Sequence, residues 1–195
     1  MLFLPLSLAL LAAAPSASTT ETSPEIAALQ KKLAGTAMVA GSFTQTRRWA
    51  ALRDSLVTHG TFQWTRGGKM TWRTLPPAES ELVVEGSQAT MRYPALGTTQ
   101  SFDFGGDPGM AAVFDCIAAV LRADFEKLAP QFDVRVTLRE PLGVSLKPRS
   151  TELAKVIAGI ELTFTARNDL ARVVLYEGGG DQTEISFKDQ VATKG

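Results

Sequence analysis

A chain of 195 residues with 20 Lys+Arg, 20 Asp+Glu, one His and one Cys suits one domain and can bury a core. Zero net charge at 45% hydrophobic content excludes a disordered chain and a general nucleic-acid binder, which needs a basic excess. A single Cys excludes an internal disulfide, and no Cys/His cluster is spaced to hold zinc, so no cofactor is expected.

Leu2 to Ala14 is apolar apart from Ser7, and small residues Pro15-Ser16-Ala17-Ser18 follow. An apolar run of this length before a small-residue region reads as a signal peptide over residues 1–18, cleaved between Ala14 and Ser18. The run is too short to span a bilayer. Residues 19–195 are then expected to form one exported domain. Ser23-Pro24-Glu25 supplies an N-cap, a Pro at the first helical position and an acid in the first turn. Ile26, Leu29 and Leu33 share a face of the helix so begun, and Gly35 ends it.

Strand signals come next. Val39, Gly41, Phe43 and Gln45 alternate with Ala40, Ser42 and Thr44; Gly60, Phe62, Trp64 and Arg66 alternate with Thr61, Gln63 and Thr65. Gly67-Gly68 is a hairpin turn, and Met70, Trp72 and Thr74 lie on the return strand. Leu82 and Val84, Met91 and Tyr93, and Phe102 and Phe104 continue the pattern. Asp107-Pro108 opens a helical insert whose Met110, Val113, Phe114, Ile117, Val120 and Leu121 fall at helical spacing, with a second short helix carrying Phe125 and Leu128 before Pro130. Strands resume at Val134–Leu138, Val144–Leu146, Ile160–Phe164, Val173–Leu175 and Ile185–Phe187. Alternation this regular means antiparallel sheet with one dry face, and about ten strands in one sheet must curl or close. The fold class is mainly β (α+β): a strongly curved, unclosed antiparallel barrel whose mouth is covered by helices.

Catalytic chemistry is thin. His59 stands alone at a polar strand start, without a Gly-x-Ser-x-Gly elbow, so a hydrolase lacks its partners. Cys116 on the insert reads as a packing residue. Asp103 and Asp107 around Gly105-Gly106 fail calcium-loop spacing. Gly178-Gly179-Gly180 lies between strands and opens no helix that could cradle phosphate. The chain is read as a binder and not an enzyme. The dry face carries Phe43, Phe62, Trp64, Met70, Trp72, Leu82, Val84, Met91, Tyr93, Phe102 and Phe104, and the insert adds Met110, Phe114 and Ile117. Pattern alone fits an ordinary core, the commoner case, or a ligand cavity. Arg66 shares parity with Phe62 and Trp64: it either points inward at the barrel mouth or lies past the strand end in solvent. Pointing inward, it needs acceptors, expected on the insert or its flanking loops between Gly105 and Pro130.

The runs Gly41–Thr46 (GSFTQT), Gly60–Trp72 (GTFQWTRGGKMTW) and Pro77–Ser87 (PAESELVVEGS), followed by Leu146–Ser150 (LKPRS), resemble the periplasmic outer-membrane lipoprotein carrier (LolA) family in order and spacing. The resemblance implies an unclosed barrel with a helical lid and a hydrophobic cavity that shields acyl chains of a lipoprotein, or a related lipid, between the inner and outer membranes. It implies a periplasmic monomer with an inner-membrane donor complex and an outer-membrane acceptor as partners. It turns the fourteen apolar residues named above into cavity lining, Met70 among them at the hairpin, and makes Arg66 the lid latch. Gly67 stands where the family has Pro, and the given sequence ends a few residues beyond the expected strand Thr183–Lys188. A lipid- or lipoprotein-sensing module of the same fold is the alternative.

Overall fold

The computed structural model describes residues 23–103, 119 and 124–195. Helix α1 (Pro24–Ala34) starts as the capping residues require: Ser23 Oγ accepts from the Ile26 N–H at 3.3 Å, Pro24 takes a position that needs no donor, and Lys31 and Lys32 end the helix at its negative pole. Among the described residues eleven strands follow: β1 (Thr36–Arg48), β2 (Ser55–Thr65), β3 (Met70–Thr74), β4 (Ser80–Glu85), β5 (Gln88–Tyr93), β6 (Thr98–Asp103), β7 (Phe132–Arg139), β8 (Leu142–Pro148), β9 (Ile157–Phe164), β10 (Leu170–Glu177) and β11 (Gln182–Lys194). Helix α2 (Phe125–Leu128) precedes β7, and helix α3 (Thr151–Val156) joins β8 to β9.

All strands belong to one antiparallel sheet in the order β6-β5-β4-β3-β2-β1-β11-β10-β9-β8-β7. The ladder between β1 and β11 joins two meanders, and no ladder joins the edges β6 and β7, so the barrel is unclosed as expected. The count is eleven against about ten, and several strands outrun the alternation that announced them. β2 begins at Ser55, and β11 continues to Lys194 past a register shift opposite Ala40 and Ser42, with Asp189 at φ 52°. Long pairing with β1 on both sides extends these strands through polar residues that carry no hydrophobic signal. Helix α3 was not anticipated. Ser150 caps it by accepting from Leu153 N–H, but its six residues are too few to show a period.

Among the described residues, the larger sealed core lies over one half of the inner face. Leu142, Val144, Leu146, Ile157, Ile160, Leu162 and Phe164 of β8 and β9 pack with Phe132 under Ile26 and Leu29 of α1 and Phe125 and Leu128 of α2. The N-terminal half of α1 is thus part of a conventional core. Over the other half, β3 to β6, the described residues form a small cluster of Val84 and Ala89 with Met70 and Leu82 against it.

The outer face is polar and ion-paired. Arg172 grips Glu184 through two bonds of 3.0 Å, and Arg73 and Arg92 flank Glu81 at 2.7 and 3.1 Å. Hydrogen bonds from Arg172 hold the Glu184 carboxyl below its ordinary value, and those from Arg73, then Arg92, do the same for Glu81.

Candidate functional site

Antiparallel register carries apolar side chains across the open half in two rows. One runs Val39, Trp64, Met70, Val84, Ala89 and Phe102; the next runs Phe62, Trp72, Leu82 and Met91. Gly41 and Gly60 sit beneath the rings. A Cβ on Gly60 would lie 2.1 Å from the Arg73 carbonyl and 2.4 Å from Phe43 Cζ, so the ring occupies the space a side chain would fill. Phe43 thereby stacks on Trp72 at 3.8 Å between centroids, and Phe187 meets Phe62 edge-on at 5.1 Å.

Two cavities lie under the C-terminal turn of α1. The smaller, about 70 Å³, is bounded by Lys32 and Leu33 on α1, Asp169 and Asn168 in the β9–β10 turn, and Val39, Phe62, Trp64, Phe164 and Phe187 on the sheet. The larger, about 290 Å³, is bounded by Gln30, Leu33, Ala34, Trp64, Arg66 and Asp124. Leu33 and Trp64 line both. The larger one sits at the small end of ligand-sized pockets, with an apolar wall and a polar rim.

Arg66 stands one residue beyond β2, in the turn closed by Gly68 N–H donating to Thr65 O at 2.9 Å, with Gly68 at φ 86°. Its backbone N–H donates to Ala37 O at 2.8 Å, its Nε donates to Thr36 O at 3.2 Å, and its Nη2 donates to Ala34 O. The described acceptors belong to the C-terminal end of α1 and the start of β1; of the stretch 105–130 where acceptors were expected, residues 105–118 and 120–123 lie outside the described residues. Arg66 lies past the strand end and is exposed, with its guanidinium turned onto the end of α1. The β1–β2 ladder brings the end of α1, with its unused carbonyls, alongside the hairpin. Asp124, at the far end of the insert, shares only the cavity rim. Lys32 also pins this turn, bonding Asp169 Oδ1 at 2.7 Å and the Arg167 carbonyl.

The expected lining residues divide by depth. Phe43, Phe62, Trp64 and Val84 are buried; Met70, Trp72, Leu82, Met91 and Tyr93 are half-buried; Phe102 is 44% exposed. Of the described ones, Phe62 and Trp64 border the two cavities. Phe104, Met110, Phe114, Ile117 and Cys116 lie outside the described residues, as do residues 1–18. Sequence reasoning missed Leu33, Val39, Phe164 and Phe187 as lining. Phe187 and Val39 have the parity that would have found them, while Leu33 required knowing where α1 lands. His59 Nδ1 is 3.1 Å from Thr44 Oγ1 on the outer face. Among the described residues no three His, Cys, Asp or Glu side chains group to hold a metal, and no helix is long and apolar enough to cross a membrane.

The family model described as outer membrane lipoprotein carrier protein LolA matches residues 34–195. No curated protein sequence matches the chain. Among solved structures, a LolA superfamily protein from Nitrosomonas europaea is 7% identical, with 87% of this chain and 94% of that one covered at a TM-score of 0.43. A putative outer membrane lipoprotein-sorting protein domain from Vibrio parahaemolyticus is 10% identical over 88% and 92%, at 0.43. The lipoprotein LppX of Mycobacterium tuberculosis is 6% identical over 85% and 92%, at 0.46.

Proposed function

The chain belongs to the outer membrane lipoprotein carrier protein (LolA) family, and from that premise we propose that it is a non-enzymatic carrier. Its cargo is the acyl chains of a lipoprotein or a related lipid, taken from an inner-membrane donor and passed to an outer-membrane acceptor. It works as a monomer in the periplasm, as the single domain 19–195 left after residues 1–18 are removed. Phe104, Met110, Phe114 and Ile117 stay in the proposed lining on sequence grounds.

The observation that carries the reading is the asymmetry of the inner face. One half is closed by α1 and α2, while Met70, Trp72, Leu82, Met91 and Tyr93 on the other remain half-buried, the first four in rows that run on to Trp64 and Phe62 at the cavities. Large apolar side chains left half-covered across three strands mark a binding surface. Each methylene moved from water onto such a surface gains about 0.8 kcal/mol, so a long chain is held without polar contacts. Entry runs under the C-terminal turn of α1, which Arg66 and Lys32 hold by polar bonds that cargo must displace. Met70→Glu, with a carboxylate in the apolar row, tests the reading: uptake of a fluorescent phospholipid should fall at least tenfold while the fold persists. Unchanged uptake would refute the site.

A further inference from the structure

The indole N–H of Trp64 has no role in the carrier reading so far. Trp64 is 4% exposed, and its Nε1 is buried without a hydrogen-bond partner. Glu25 Oε2 and Arg47 Nε are also unpaired, but those side chains bond elsewhere, to Arg139 and to Glu177. An indole has a single polar atom, so Trp64 has no other way to be satisfied. Of its ladder neighbours, Val39 has no acceptor side chain and Met70 has only a weak thioether sulfur, to which the indole makes no hydrogen bond. A buried donor without a partner opposes folding, so a packing role alone would favour Phe at this position.

Its place along the strand gives the nitrogen a use. Trp64 lines both cavities, with Phe62 two residues away on the apolar side and Arg66 two residues away on the polar rim shared with Gln30 and Asp124. A ligand with its chain against Phe62 and its polar end toward Arg66 has its polar–apolar junction beside Trp64. In an acyl lipid that junction is an ester carbonyl. We propose that Trp64 Nε1 donates a hydrogen bond to this carbonyl oxygen, so that the cavity selects acyl esters over plain alkyl chains. The proposal rests on the carrier reading and adds a specificity-determining residue to it.

The test compares a diester phospholipid with its dialkyl ether analogue of the same chain length and headgroup, titrated into the wild-type protein and into Trp64→Phe. One net hydrogen bond corresponds to about fivefold. The wild type should bind the diester about fivefold more tightly, and Trp64→Phe should bind both at the ether level. Equal binding of the two lipids by the wild type would overturn the proposal, and that comparison decides even if the variant fails to fold. Binding of neither lipid would instead overturn the carrier reading. Running the same pair as diacylglyceryl lipopeptides separates the two sources of ester: a Trp64-dependent preference in one set identifies its source, and none in either overturns the assignment.

Discussion

Arg66→Leu should loosen one turn of one helix and nothing else. The substitution removes the bonds to Ala34 O and Thr36 O and leaves the backbone bond to Ala37 O in place. A hydrogen bond from a charged donor is worth about 1.5–3 kcal/mol when buried. The Arg66 side chain faces solvent, which halves that, so the two together give about 2 kcal/mol, or roughly thirtyfold in a local opening equilibrium. The N-terminal half of α1 is held independently, by Ile26 and Leu29 in the sealed core and by the Glu25–Arg139 ion pair. Amide exchange at Leu33–Gly35 should therefore accelerate roughly thirtyfold, while exchange at Ala27–Gln30 stays within a factor of two. Arg66→Lys keeps the charge but not the planar fork and should lie between. Lipid should then enter the Leu variant faster, because the turn it must displace is already open more often. Wild-type exchange at Leu33–Gly35 in Arg66→Leu would refute the latch, and acceleration along the whole helix would refute the division of α1 into a fixed and a movable half.

Gly60→Ala should cost about 3 kcal/mol by denaturant unfolding, the upper end of overpacking penalties, because the Arg73 carbonyl at 2.1 Å cannot retreat without breaking the β2–β3 ladder. Gly67→Ala, whose Cβ meets nothing within 4 Å, is the neutral control. Stability should fall in acid with a definite sign. Glu184 and Glu81 are held below their ordinary values by Arg172 and by Arg73, so their contribution is complete above the unfolded value near about 4.3 and is lost as pH falls through the lower folded values. Glu184→Gln should be less stable at neutral pH and show a shallower acid limb in urea titrations at stepped pH. An unchanged limb would remove Glu184 from the account.

Much of this architecture is legible residue by residue. Phe43, Phe62 and Trp64 are inward because a strand has a period of two, and Ser23-Pro24 opens α1 because that chemistry opens helices anywhere. What the sequence does not carry is long-range. Leu33 became cavity lining, and Arg66 found Ala34 O, because β1 pairs with β2 and swings the end of α1 beside the hairpin, a consequence of assembly and not of local pattern. The division of the inner face follows from where Ile26 and Leu29 land, so Leu162 and Leu82, which read alike in sequence, end as sealed core and half-open surface. The stack of Phe43 on Trp72 depends on Gly60 lying under the ring, which only register reveals.

The central claim is that this chain carries acylated cargo in the cavities under α1. Native mass spectrometry of the full chain, produced in its own host and isolated gently from the cell envelope, tests it most directly. The account predicts a bound species whose fragments include ester-linked acyl chains, lost from Met70→Glu. A protein carrying no lipid at native abundance, with the same bare mass for wild type and variant, would contradict it.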